Sequence, residues 1–440
     1  MEIVIKAAQL LLSLSILVIF HEFGHFLAAK IFKTRVEKFY LFFNPWFSLF
    51  KFKKGETEYG MGWLPLGGYV KISGMIDESM DKEQMSQPAQ PWEFRSKPSW
   101  QRLIIMLGGV TVNILLAFAI YIGLLWVWGE QYLPTSEVRY GIVADSVAEQ
   151  MGFRDGDKIL TIDNEYVEDF NKIPGKIILD HAKTVQVERD GQPFNIIIPA
   201  GSIAKLLKHQ APGFLTPRMP FYVGEFMKDS PLEKAGSKKG DRLIGVNDTL
   251  LPYFDQYAGV LDKFPGKPVQ IKAIRGNDTI NFPVTLTENA KIGVRPEFEK
   301  LFKIKEHDYN LLTAIPAGFT RTWKQMGNYL KQLKLLFMPD VKAYESVGGF
   351  ISIGNIFPAE WDWAAFWSLT AFLSIMLAIL NVLPIPALDG GHVLFLLYEI
   401  ITGRKPSDKF LEYAQIVGMI LLFGLLILAN GNDIMKLFRK

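Results

Sequence analysis

The chain has 440 residues, of which 49% are hydrophobic and 21% charged, and its mean hydropathy is +0.15. This composition is too apolar for an ordinary soluble protein and too polar for a transporter, so it predicts a few membrane helices joined to water-exposed domains. The formal net charge of +3 gives no sign of a nucleic-acid partner, and the absence of cysteine excludes disulfides and thiolate metal sites.

The first apolar segment, predicted to be transmembrane over residues 1–30, contains His21, Glu22 and His25. Two histidines four residues apart on a helix point the same way, so one metal can take both imidazoles, at about 2.0–2.1 Å for zinc. Glu22 lies between them and can reach a water molecule as general base. Each ionisable group in such a segment costs about 2.5–3.5 kcal/mol, which a bound metal would offset. A chance motif in a soluble helix is the alternative.

Lysine and arginine are in excess in residues 31–100, which places this connection in the cytoplasm and the metal site near the cytoplasmic face. Residues 46–73 within it are predicted as strands, and Gly67 and Gly68 allow a close backbone approach. Our interpretation is a membrane-associated sheet whose edge holds a substrate, because strand addition keeps an otherwise helical peptide extended. A plain cytoplasmic hairpin is the alternative.

The second membrane segment is predicted over residues 101–128. Its Gly108-Gly109 pair permits tight packing against another helix. Asn113 is a polar residue at membrane depth, where it either supports the metal site or, as we favour from the sequence, makes an interhelical hydrogen bond.

Residues 138–295 are hydrophilic and contain an internal repeat. Two sets of residues match at one constant offset, namely Asp145-Ser146 with Asp229-Ser230, and Gly152, Gly156 and Asp157 with Gly236, Gly240 and Asp241. The two units, predicted at 138–200 and 218–296, resemble PDZ domains of the circularly permuted bacterial kind, which take extended peptides. Peptide binding, a size filter over the active site and a pair of spacers all stay open.

Three helical segments follow the repeat. Apolar residues at helical spacing in 308–338 predict an amphipathic helix on the membrane surface, with a core helix of a soluble lobe as the alternative. Transmembrane helices are predicted over 363–403 and 408–430.

The 363–403 segment contains the second polar cluster of the membrane region. Its two prolines break the helix, and a carboxylate at that depth requires a protein-lined, wetted site. We predict Asp389 as the third zinc ligand, with the fourth position left for water and His392 as the rival ligand. Asn381 could hydrogen-bond the substrate backbone or an oxyanion.

Two motifs carry a family resemblance. They read His21-Glu22-x-x-His25 and Asn381-x-x-Pro384-x-Pro386-x-Leu388-Asp389-Gly390. Together they resemble the motifs of the site-2 protease family of intramembrane zinc metalloproteases, and most closely its bacterial RseP branch. The resemblance covers nearly the whole chain. It implies a multi-pass α-helical membrane protein of about four transmembrane helices with a membrane-associated β-hairpin or sheet, plus two PDZ-like α+β domains.

The resemblance also implies the roles of the site residues. His21, His25 and Asp389 would bind one zinc ion per chain, Glu22 would activate water, and Asn381 would position substrate. The implied substrate-binding set is Gly67, Gly68, Tyr69, Val70, Lys71, Asn381 and Pro384.

The partners implied by the resemblance are single-pass membrane proteins already trimmed outside the membrane, such as anti-sigma factors, and leftover signal peptides. The lipid bilayer is the other partner, and no nucleic acid is expected. The implied location is the bacterial cytoplasmic (inner) membrane, with the PDZ domains on the extracytoplasmic side.

Two other classes of protein stay open. A transporter or channel with a metal site predicts inverted repeats of membrane segments, which the sequence does not show. A catalytically dead scaffold that binds peptides would have lost Glu22 or a metal ligand, and all of them are present.

Overall fold

The computed structural model describes residues 1–65, 67–75, 87–209, 213–298, 301–335 and 348–438, so parts of the predicted 31–100 and 308–338 segments lie outside the described residues. The helices are α1 Glu2–Ile31, α2 Ser99–Trp128, α3 Ser146–Met151, α4 Ile173–Leu179, α5 Ser202–His209, α6 Pro231–Lys234, α7 Asp255–Leu261, α8 Leu311–Leu335, α9 Phe350–Ile356, α10 Trp363–Val382, α11 Asp389–Thr402 and α12 Asp408–Phe438. The strands are β1 Val36–Leu41, β2 Phe50–Lys54, β3 Thr57–Met61, β4 Tyr69–Ile72, β5 Glu130–Tyr132, β6 Ile142–Ala144, β7 Lys158–Ile162, β8 Thr184–Arg189, β9 Gln192–Ile197, β10 Leu215–Pro217, β11 Phe221–Phe226, β12 Arg242–Val246, β13 Thr249–Leu250, β14 Pro268–Arg275, β15 Asp278–Thr285, β16 Val294–Pro296 and β17 Lys305–His307.

The described chain forms two compact units. One is Glu130–His307, and the other joins Met1–Gly129 to the described residues from Asp308 onward. Within the second of these units, four helices of the described residues are long and apolar enough to cross a membrane. They are Glu2–Ile31, Ser99–Trp128, Trp363–Val382 and Lys409–Lys436. The chain is therefore a membrane protein.

The membrane helices pack closely where small residues meet. Gly24 of α1 lies directly against Gly108 of α2, and a Cβ on Gly24 would overlap the Gly108 carbonyl group. The Gly108-Gly109 pair thus packs against another helix, as the sequence predicts. Helix α8 also packs along α2, where its Phe319 ring stacks on Phe118.

A four-stranded sheet follows α1, in the order β2-β3-β1-β4. Strand β1 pairs parallel with β3 and antiparallel with β4, so β4 lies at an edge of the sheet. Strand β1 lies outside the predicted strand region 46–73, in a basic run that directly follows the apolar helix. In the structure Val36 and Tyr40 are buried and the other residues of this strand are half-buried.

The Glu130–His307 unit contains two lobes, each with its own apolar core. The first lobe contains the three-stranded sheet β7-β8-β9 and the pair β6-β10, and the second contains the path β15-β14-β12-β11-β16. The chain then returns to the first lobe, because Phe302 is buried in the first core and β17 pairs with β5.

A buried aspartate is held by an arginine in each lobe. Arg189 donates to both carboxylate oxygens of Asp157 at 2.8 and 2.7 Å, and Arg275 donates to both of Asp241 at 2.7 and 2.7 Å. Both aspartates are 1% exposed, and a carboxylate buried this deeply needs such a partner. Arg189 and Arg275 are not separated by the repeat offset, because β14 is longer than β8. The repeat in the sequence therefore does not pair them.

The Asp241 carboxyl should make the stability of the chain depend on pH. Burial by itself would raise its pKa, but hydrogen bonds from Arg275, the Lys238 amide and the Ser237 hydroxyl outweigh burial and lower the pKa. Because the pKa of Asp241 is lower in the folded state, its ionised carboxylate stabilises the folded chain. This stabilisation is complete at pH values above the ordinary aspartate pKa of about 3.9. The stabilisation is lost as the pH falls through the folded pKa.

We therefore expect Asp241→Asn to destabilise the protein by about 2–3 kcal/mol at neutral pH, because hydrogen bonds to a charged group are lost. The difference from wild type should narrow as the pH falls below about 4. Thermal unfolding of the full chain in detergent, followed by circular dichroism across this pH range, measures it. Asp248→Asn, at an exposed position, is the control. A difference that is equal at pH 7 and pH 3 would contradict the prediction.

Candidate metal centre

The site begins with two histidines one helical turn apart on α1. His21 and His25 are 9% and 7% exposed, and their Nε2 atoms are 3.3 Å apart. They lie on the side of α1 that faces Gly109 of α2, where a Cβ would fall 2.5 Å from His25 Nε2. Only glycine leaves room here for both imidazoles, and the sequence analysis assigned this residue to helix packing alone.

The third ligand candidate comes from the broken segment between α10 and α11. Asp389 is the first residue of α11, and its Oδ2 atom lies 3.3 Å from His21 Nε2 and 3.2 Å from His25 Nε2. The three atoms thus form a nearly equilateral triangle. Tetrahedral zinc with ligands at about 2.0–2.1 Å places its ligand atoms roughly 3.3–3.4 Å apart. The triangle fits that ion.

The hydrogen bonding of the Asp389 carboxylate supports this fit. Oδ2 is buried and has no hydrogen-bond partner among the described residues, although two imidazole nitrogens are close to it. An unpaired buried carboxylate oxygen is costly, so a cation between the three atoms would explain its position. One carboxylate and two histidines, with no sulfur, are a ligand set that catalytic zinc accepts.

Neighbouring polar groups orient the two imidazoles. The Nδ1 atom of His25 lies 2.9 Å from the Ile105 carbonyl oxygen, so a proton there leaves Nε2 free for a metal. The Nδ1 atom of His21 lies 3.3 Å from the side-chain amide of Asn113, whose Oδ1 atom is buried without a partner. If the side-chain amide is flipped, so that Oδ1 and Nδ2 exchange places, Oδ1 accepts the proton on His21 Nδ1. Asn113 therefore contacts the site, beyond the interhelical role that the sequence favoured.

The histidines and Asp389 line a cavity of about 900 Å³. Glu22 also lines it, next to Gly68, where a Cβ would lie 3.4 Å from Glu22 Cγ. The predicted substrate-binding residues that line this cavity are Gly67, Gly68, Tyr69, Val70, Lys71 and Asn381.

Pro384, predicted to bind substrate, and His392, the rival metal ligand, lie outside the ligand triangle. Pro384 is exposed and is not part of the cavity wall. His392 lines the cavity but does not join the group of three close ligand atoms. The amide nitrogen of Asn381 lies 3.3 Å from His21 Nε2, at the edge of the ligand triangle.

The fold and the site together define a class: a membrane protein with a candidate metal centre of two histidines and an aspartate, and with a glutamate in the same cavity wall. The profile of peptidase family M50 matches residues 9–425, and the chain belongs to this family.

The similarity to known proteases extends over nearly the full length of this chain and of its relatives. "Regulator of sigma E protease" of Haemophilus influenzae is 30% identical over 450 residues, which is 97% of this chain and 98% of the relative. "Putative zinc metalloprotease" of Xylella fastidiosa is 28% identical over 457 residues, covering 97% and 98%. "Protease RseP" of Yersinia pestis is 28% identical over 462 residues, covering 99% and 100%. The chain is accordingly a zinc metallopeptidase of the site-2 protease type.

Gly109→Ala should weaken zinc binding about 10- to 100-fold, because the new methyl group displaces the imidazole ends. Alanine by itself favours a helix, so the change should not weaken α2. Competition with a chelator in detergent measures the affinity. Gly123→Ala is the matched control on the same helix, since a Cβ there has no neighbour within 4 Å. Equal zinc affinity in both variants would show that the imidazoles do not depend on Gly109.

Proposed function

We propose that this chain cleaves transmembrane segments of single-pass membrane proteins within the membrane, using one zinc ion held by His21, His25 and Asp389. The observation that carries the proposal is the ligand triangle, built between a candidate membrane helix and the break that follows another. Groups of this polarity are tolerated at such depth when they pair with one another and serve a function.

Zinc, when bound, would polarise the scissile carbonyl and make a water molecule more acidic. Glu22 takes the proton from that water and passes it to the leaving amine, as general base and then general acid. Its position in the cavity wall, between the two histidines in sequence, supports this role. The Asn381 amide, beside the ligand triangle, would donate to the substrate backbone or to the developing oxyanion.

The edge of the sheet would hold the substrate extended. Residues of an antiparallel pair alternate between bonding their partner strand and pointing away from it. Strand β4 is the edge strand of its sheet, and Gly68 just before it lies against Glu22, where a Cβ would be 3.4 Å from Glu22 Cγ. A substrate strand lying along β4 would therefore place its backbone beside Glu22, as in other cases of strand addition. The cleaved peptide bond must first lose its helical hydrogen bonds.

The proposed location rests on the distribution of basic residues, and the proposed substrates rest on the similarity to known proteases. The basic residues of 31–100 would face the cytoplasm of a bacterial inner membrane, and the active site would lie near that face. The two lobes of the Glu130–His307 unit would then be extracytoplasmic PDZ-like domains. The relative from Haemophilus influenzae is named a regulator of sigma E protease, which supports a regulatory role for proteolysis. The substrates that we propose are an anti-sigma factor and signal-peptide remnants.

Glu22→Gln should keep zinc and lose cleavage, by at least about 10²–10⁴-fold, because the amide cannot accept the proton. Zinc content of the purified protein and cleavage of a reporter transmembrane substrate in proteoliposomes measure the two effects. Glu149→Gln, at an exposed position in the first lobe, controls for the same substitution elsewhere. Cleavage at the wild-type rate would remove Glu22 from the mechanism, and loss of zinc would make it a ligand instead.

A further inference from the structure

The loop that leads to Asp389 contains an unfavourable backbone conformation. Ala387 has φ +74°, a left-handed value that residues with a Cβ rarely adopt. It lies two residues before the ligand, so a change in its conformation would move the carboxylate. Such a conformation persists only where the surrounding structure holds it.

Helix α12 supplies the groups that hold this loop. Gln415 is 5% exposed, and its Oε1 atom accepts a hydrogen bond of 3.2 Å from the Ala387 amide. Gly418, almost one turn further on, packs against Pro386 so closely that a Cβ would overlap the Pro386 carbonyl oxygen. The two residues of α12 therefore contact both sides of the Pro386–Ala387 peptide unit.

The contact with Gln415 is separate from the other polar anchor of α12. At the far end of this helix Asp433 accepts from the Ser352 amide at 2.9 Å, and Asn430 accepts from the Phe350 amide at 3.3 Å. Many side chains between these anchors are apolar and exposed, as expected for a lipid-facing helix. Loss of the far anchor can thus be compared with loss of Gln415 on the same helix.

We propose that Gln415 is a positioning residue of the metal centre: it holds Ala387 in the left-handed conformation that places Asp389 Oδ2 against both histidines. The inference rests on the proposed role of Asp389 as a ligand. Gln415 lines the same cavity as the ligand triangle, and the role assigned to it is exerted through its hydrogen bond to the loop.

The test measures zinc affinity in the full-length chain by competition with a chelator in detergent. Gln415→Leu removes the acceptor and should weaken zinc binding about 10- to 100-fold, the usual effect of losing a group that orients a ligand. Ala387→Gly in the same chain should restore most of this loss, because glycine adopts positive φ without strain. Ala387→Gly alone should bind zinc like the wild type.

Asn430→Leu is the matched control, a polar-to-apolar change on the same helix at the far anchor, and should leave zinc affinity unchanged. Thermal unfolding of each variant confirms that it is folded. Wild-type affinity in Gln415→Leu would overturn the proposal. So would a loss that Ala387→Gly does not restore, or an equal loss in Asn430→Leu, since either means that α12 acts by general packing. Because the readout is metal affinity, these outcomes leave Glu22-dependent cleavage as a separate question.

Discussion

The structure depends on the cost of placing two imidazoles and a carboxylate in an apolar environment. His21, His25 and Asp389 are held within 3.3 Å of one another by segments that are far apart in sequence. Each imidazole has one polar neighbour at Nδ1, whereas Asp389 Oδ2 has no hydrogen-bond partner among the described residues. A divalent cation between them would convert three unfavourable burials into one coordinated centre. The packing of the helices and the break in the chain before Asp389 both serve this geometry.

Three different kinds of backbone detail bring these groups together. Glycines on α1 and α2 let two helices approach until the histidines lie beside Gly109. The break after α10 ends the helix so that Asp389 can start a new one, pointing into the cavity. The β4 edge lines the same cavity as Glu22. The residues proposed for metal ligation, proton transfer and substrate binding therefore line one cavity, although they come from a helix pair, a helix break and a sheet edge.

Much of this centre could be predicted from the sequence, because the constraint is chemical and local. The spacing of His21 and His25 fixes their common face, and a carboxylate among prolines at membrane depth has few other uses. The starts of the four long helices lie within two residues of the predicted ones, but the segment predicted as one helix over 363–403 is divided into α10 and α11 by the two prolines. Helix α12 also continues to Phe438, beyond the predicted end at 430. Its polar residues near that end bind the start of α9, which keeps the last turns helical.

Other features could not be predicted, because they depend on contacts between distant segments. Strand β1 has an unremarkable sequence, and only its pairing with β3 and β4 makes it the centre of the sheet. The room that Gly109 leaves for the imidazoles follows from the crossing of two helices, which the sequence does not encode locally. The contact of Gln415 could not be predicted either, because its partner is the Ala387 amide. The prolines of that loop indicate only that its backbone is irregular.

The most direct test of the central claim is the zinc content of purified Asp389→Ala beside the wild type, by elemental analysis. The account predicts close to one zinc per chain in the wild type and almost none in the variant, with both proteins folded. An Asp389→Ala protein that retains the full amount of zinc would contradict it, and His392, in the same cavity wall, would then be the first residue to consider as the third ligand.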